Sequence, residues 1–171
     1  TLDRSSAASD VYKRQAMEES EFEKVTAPNY FNLGSNGYEC KKTGMVFRYA
    51  KGPTERTKAI ISLIVIAGLF QTGWCAIRVF MKVMQGNETD IEVVVVQKSR
   101  HLVIPEHCVA MGLVSRKQVQ IFVHKTFRRK QIGSQILKLL KLKGSKFNHA
   151  ELGIPGSRRF WESNSVRVIS I

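Results

Sequence analysis

Residues 119–140 read VQIFVHKTFRRKQIGSQILKLL, and the reading of this stretch decides the fold. Val119, Ile121 and Val123 alternate with Gln118, Gln120 and Phe122, the two-residue period of a strand. From Ile132 the period lengthens. Ile132, Ile136, Leu137, Leu139 and Leu140 share one side, Gln135, Lys138 and Lys141 stand between them, and Gly144 supplies a helix stop. A chain that leaves a strand and enters a helix through Phe127, Arg128, Arg129, Lys130, Gln131, Ile132, Gly133 and Ser134 aims its unpaired first-turn N–H groups at one spot. The helix dipole adds partial positive charge there and the arginines add full charges, which is the chemistry of a phosphate cradle. Gly133 permits close approach of backbone or ligand, and Ser134 offers a small hydroxyl. The same residues also suit a basic helix start that only faces water.

Working outward, residues 91–96 are a β-branched run, 107–114 are a second apolar run, and with 119–123 they make three strands in quick succession, which predicts an antiparallel meander. Beyond the helix, 150–154 read as a short strand before Pro155 and Gly156, 157–163 as a turn or helix, and 166–171 as a last alternating strand. The most apolar segment is 59–77. Its β-branched run Ile60, Ile61, Leu63, Ile64, Val65 and Ile66 stops at Gly68 and suits a buried strand. Phe70, Trp74, Ile77, Met81 and Met84 then recur at helical spacing. The competing reading of 59–77 is a single membrane span, for which about 20 apolar residues suffice.

Residues 1–16 lack apolar periodicity and read as a non-native leader, with Met17 as the expected start. Residues 17–57 pass from acidic (Glu18, Glu19, Glu21, Glu23) to turn-rich (Asn29, Asn32, Gly34, Asn36, Gly37) to basic, and read as a loose N-terminal arm without a signal peptide. A single domain over 58–171 follows. The 171 residues carry 27 Lys and Arg against 14 Asp and Glu, a net charge of +13. Thirteen of the cations, against Glu151 and Glu162 only, fall within residues 111–171, so an anionic partner belongs to that third of the chain. Cys40, Cys75 and Cys108 are too few and too far apart for a disulfide framework, and His101, His107, His124 and His149 lack zinc-ligand spacing. Both point to a reducing, cytoplasmic setting and to no metal.

The strand, basic turn and helix resemble the acetyl-CoA signature of the Gcn5-related N-acetyltransferase (GNAT) superfamily: Arg or Gln, two variable residues, Gly, one variable residue, then Gly or Ala, opening a helix. Arg128 takes its first position and Gly133 its last, and Arg159, Phe160, Trp161 and Glu162 stand where the family commonly carries a Phe, Tyr, Glu segment. The resemblance covers 91–171, with 59–85 able to supply a first strand and helix. It implies an α+β fold whose central sheet is mixed, mostly antiparallel and flanked by helices, splayed beside the Val123 strand, and closed by two strands of which 166–171 supplies one. It further implies acetyl-CoA as co-substrate, its phosphates on Arg128, Arg129, Lys130, Gln131, Ile132, Gly133 and Ser134. The pantetheine arm would pair with the edge at Ile121, Phe122 and Val123, and a backbone N–H there would polarise the acetyl carbonyl for direct attack by an amine acceptor, small molecule or protein. His124, His107 and Glu106 are the candidate bases. Three departures stand out. Gln131 replaces the first glycine, Trp161 stands where a Tyr often protonates the departing thiolate, and Pro155 replaces a common Asn. Outside this resemblance, the basic stretch 125–146 also suits a nucleic-acid backbone, although only Phe127 and Phe147 are placed to stack on bases.

Overall fold

The computed structural model of the protein describes residues 22–26, 36–52, 91–99, 108–151 and 157–169. Within them eight strands form one sheet in chain order: β1 (Phe22–Thr26), β2 (Asn36–Cys40), β3 (Val46–Gly52), β4 (Ile91–Gln97), β5 (Cys108–Ser115), β6 (Gln118–Val123), β7 (His149–Glu151) and β8 (Arg167–Ile169). β1 to β6 run antiparallel. Two helices, α1 (Ile132–Leu142) and α2 (Arg158–Ser163), then carry the chain back so that β6, β7 and β8 are parallel. The class is α+β with a mixed sheet, and the meander of β4, β5 and β6 follows the pattern of apolar runs. The apolar segment 59–77, including its expected strand and helix, lies outside the described residues. Among those described, no helix is long and apolar enough to cross a membrane.

β4 is a run of consecutive buried residues because both faces of the sheet are covered there, which is why its sequence shows no alternation. On one face α1 packs Ile132, Ile136, Leu139 and Leu140 against Val94, Val96, Ala110 and Val114. Gly112 in β5 makes this approach possible, since a Cβ there would lie 2.5 Å from Ile136 Cγ2. At the far end of α1, Gly144 adopts φ 79°, and Ser145 N–H reaches Leu140 O while Gly144 N–H reaches Lys141 O, the paired bonds of a Schellman stop. The helix end is also fastened to the sheet. Tyr49 Oη and Ser145 Oγ donate to the buried Glu92 carboxylate at 2.6 and 2.8 Å, and Lys143 Nζ donates to the Tyr38 hydroxyl above its ring. Desolvation first, and the charge of Lys24 second, push the Lys143 amine below its ordinary pKa.

The reading of 17–57 as a loose arm differs from the structure, where 22–26, 36–40 and 46–52 are three strands of the same sheet. Phe22 is buried edge-on to Phe47, with ring centroids 5.1 Å apart, and Tyr38 and Cys40 are buried beside them. The strands are short and mix polar with apolar residues, so turn-forming residues dominate the local composition. Gly37 is one of these, yet it lies inside β2. A Cβ there would meet Val46 Cγ1 at 2.8 Å and Arg48 Nη1 at 3.1 Å. Arg48 is fully buried on the sheet face opposite α1, with its Nε donating to Gln97 Oε1 at 2.8 Å.

Cys108 is buried at the start of β5, where desolvation pushes its thiol from 9.0 up to about 12. The unfolded chain therefore loses this proton first, and the thiol's contribution to stability declines as pH rises from about 9 towards 12. Iodoacetamide at mildly alkaline pH is expected to leave Cys108 unlabelled in the folded protein and to label it in urea, read by intact mass. Labelling at equal rates in both states would show the thiol to be accessible.

Candidate functional site

The site begins where β6 and β7 part. Their pairing is confined to Gln118 with His149, at the start of both strands. Above that point the edge of β6 has no strand beside it among the described residues. Which backbone groups line this edge follows from the neighbouring hairpin. Arg116 and Lys117 have φ of 52° and 65° and form a two-residue type I′ turn. Such a turn makes Ser115 and Gln118 a hydrogen-bonded pair, and alternation continues up the ladder to His124 N–H, which donates to Val109 O at 2.9 Å. Ile121 and Val123 are therefore the residues whose N–H and C=O groups point away from β5.

The basic loop closes over the top of this edge. Arg128 turns back so that its Nε donates to Val123 O at 3.2 Å, which occupies one outward carbonyl and places a guanidinium at the strand end. His124 Nδ1 accepts from Thr126 N–H at 3.1 Å and caps the short 3-10 turn Lys125–Phe127. Lys130 Nζ lies 5.2 Å from the Phe127 ring centroid, and Lys125, Arg128, Arg129 and Lys130 are exposed. Arg129 and Gln131 are held at φ 63° and 64°, left-handed positions that cost a non-glycine residue roughly 1–3 kcal/mol each. The signature's first glycine falls at Gln131, where the backbone conformation is the one glycine adopts freely. Gln131 makes no side-chain cap and the first turn of α1 contains no acidic residue, so the early N–H groups face the loop without an internal acceptor.

Gly133 and Ser134 are placed differently from the other cradle residues. The close approach that Gly133 allows is made by Phe160, whose Cζ would be 2.9 Å from a Cβ at that position. Ser134 Oγ accepts from Asn164 Nδ2 at 3.4 Å. Both therefore serve the seam between α1 and α2, with Gly133 N–H still in the first turn. Trp161 is buried and stacks edge-on with Phe160 at 4.9 Å, which makes it a core anchor of α2. The structure thus brings Val123, His124 and Arg128 together at the end of β6, next to Ile121 on the same strand, with Arg129, Lys130 and Gln131 following as an exposed loop, while Ile132 is buried in the core. Phe122 is buried and faces the other side of the sheet. His107 and Glu106 lie outside the described residues.

Two further polar groups carried no sequence signal. Gln120 Nε2 is buried without a hydrogen-bond partner. His149 Nδ1 lies 2.6 Å from Asn148 Oδ1, which as an amide oxygen can only accept, so the neutral ring keeps its proton on Nδ1 and leaves Nε2 as an acceptor. His124 has the opposite tautomer, because its Nδ1 is the accepting atom. Among the described residues no group of His, Cys, Asp and Glu could hold a metal ion. Comparison of the chain with protein-family models gives no match, and neither curated proteins nor solved structures give one.

Proposed function

We propose that the protein is an N-acetyltransferase that takes an acetyl group from acetyl-CoA and delivers it to an amine acceptor. The observation that carries this reading is that, among the described residues, β6 pairs with β7 at a single point, which leaves a strand edge beneath a cationic helix start. A ligand with a diphosphate at one end and amides along its length matches both features. Uncapped N–H groups of the first turn of α1, with Arg129 and Lys130, suit the phosphates. The outward N–H and C=O of Ile121 and the N–H of Val123 suit an amide chain, while Arg128 already satisfies Val123 O. An N–H on that edge stabilises negative charge as it develops on a thioester oxygen.

The amine must reach the thioester carbonyl as a neutral nucleophile. Its attack forms the C–N bond and breaks the C–S bond, and the proton lost from nitrogen balances the thiolate released. His124 Nδ1 accepts from Thr126 N–H, so its neutral ring presents Nε2–H, which can hydrogen-bond the released thiolate, while the proton that balances the thiolate is the one lost from the amine nitrogen. His107 and Glu106 then remain the candidates for the base.

The test is thermal unfolding with and without acetyl-CoA and CoA. At ligand 100-fold above its dissociation constant, linkage gives about 2.7 kcal/mol, a rise in Tm of about 5–11 °C for a chain of this size. The Arg128→Glu/Lys130→Glu double variant is expected to lose most of that rise. No shift at millimolar ligand would overturn the reading. Tight binding of single-stranded DNA that CoA does not displace would put a nucleic-acid backbone on the basic loop instead.

A further inference from the structure

The end of α1 away from the basic loop holds a lysine between two aromatic rings. Lys143 is the C-cap residue of α1, and its Nζ stands 4.3 Å from the centroid of the Tyr38 ring and 5.5 Å from that of Tyr49 while it donates to the Tyr38 hydroxyl. Tyr38 is buried in the core and Tyr49 packs against it, so the two rings form fixed walls. Lys143 itself stays partly exposed, which leaves one side of the amine open to water.

The carboxylate of this cluster is committed elsewhere. Glu92 Oε1 accepts from Tyr49 Oη and Glu92 Oε2 from Ser145 Oγ, so both oxygens are held by neutral hydroxyls. Lys143 has a neutral phenol as its hydrogen-bond acceptor and, among the described residues, no ion pair. The other charged groups on this face are cations. Lys24 in β1 is the register partner of Tyr38, and Lys51 in β3 is the register partner of Glu92. Glu23 and Glu39, the next pair in the β1–β2 ladder, alternate onto the opposite face. A ring face attracts an ammonium ion, but each ring also keeps water from its N–H bonds. Desolvation and the like charge of Lys24 decide the direction, and the amine is neutral at a lower pH than an ordinary lysine. Removal from water and a neighbouring cation are the two means by which a lysine becomes a nucleophile.

We propose that Lys143 is a modification site whose amine, seated between Tyr38 and Tyr49, accepts the acyl group of a small acyl phosphate in preference to the exposed lysines of the same segment. The neutral nitrogen attacks the carbonyl carbon and forms the C–N bond. The bond from that carbon to the phosphate oxygen breaks, phosphate leaves with the electron pair, and the proton lost from nitrogen passes to water on the open side. The inference goes beyond the acetyltransfer reading and does not rest on it. The 11 residues of α1 span about 16 Å, so a ligand held by the loop at its start cannot hand its acetyl group to Lys143 of the same chain.

The probe is acetyl phosphate, added to the full chain at pH 8 in an amount that gives less than one acetyl group per molecule, with the occupancy of each lysine read by mass spectrometry after digestion. Lys143 is expected to be acetylated at least about threefold faster than the exposed Lys138 and Lys146. The preference should shrink as pH approaches 10.5, the ordinary lysine value, because the exposed amines then become neutral as well. In guanidinium chloride, where the rings no longer enclose the amine, the three lysines are expected to react alike. Lys143→Arg keeps a cation over both rings and should remove this acetyl group while leaving the rates at Lys138 and Lys146 unchanged. Acetylation of Lys143 no faster than that of the other two at pH 8 would overturn the proposal. So would a preference that persists in guanidinium chloride, since it would then come from the local sequence and not from the rings.

Discussion

Trp161→Ala is expected to destabilise the protein by about 3–5 kcal/mol, read as a fall in the urea midpoint at unchanged slope. Trp161 is buried in the core, and α2 is only six residues long, too short to hold its place by helix propensity. Its position rests on this indole and on Phe160, which lies against Gly133 in the first turn of α1. Loss of the indole therefore loosens the helix start that faces the basic loop, and the CoA-dependent rise in Tm should shrink with it. Trp161→Phe keeps an aromatic ring in the same space and is expected to cost much less in both measurements. A cost below about 1 kcal/mol for the alanine variant would mean that α2 does not depend on this side chain.

Gly112→Ala is expected to cost about 1–3 kcal/mol although it adds one methyl group. That methyl would sit 2.5 Å from Ile136 Cγ2 and 3.8 Å from Val94 Cβ, so α1 must lift off the sheet or Ile136 must leave its rotamer. Ile136→Ala alone should cost about 2–5 kcal/mol by opening a cavity. Combining the two refills part of that cavity, and the double variant should cost less than the sum of the single ones. Strict additivity would show that the two sites do not touch. Because α1 is also fastened at its other end through Lys143 and Ser145, a lift at Gly112 tilts its first turn relative to the β6 edge, and CoA affinity should fall along with stability.

The strands of the meander, α1 and its stop at Gly144 were legible because each depends on local chemistry. A β-branched run, a change of period from two to 3.6 and a glycine at a left-handed position need no knowledge of distant residues. The basic loop was legible for the same reason. β1, β2 and β3 were not, since their stability comes from cross-strand partners such as Phe22 with Phe47, which are 25 residues apart in the chain. Gly37 illustrates the limit: by composition it marks a turn, while in the fold it clears space for Arg48 inside a strand.

Sequence alone determined that this chain has a strand, a cationic turn and an amphipathic helix in that order, and that its excess charge lies in its last third. Tertiary structure decided what those parts face. Among the described residues β6 pairs with β7 at Gln118 and nowhere above it, which leaves the edge at Ile121 and Val123 without a strand beside it, and the packing of Phe160 on Gly133 turns a glycine suited to a ligand into one that seats a helix. The same pairing divides one basic segment into two ends about 17 Å apart. Charge is a property of composition, but its field acts over a screening length, and only the fold sets which charges lie within it.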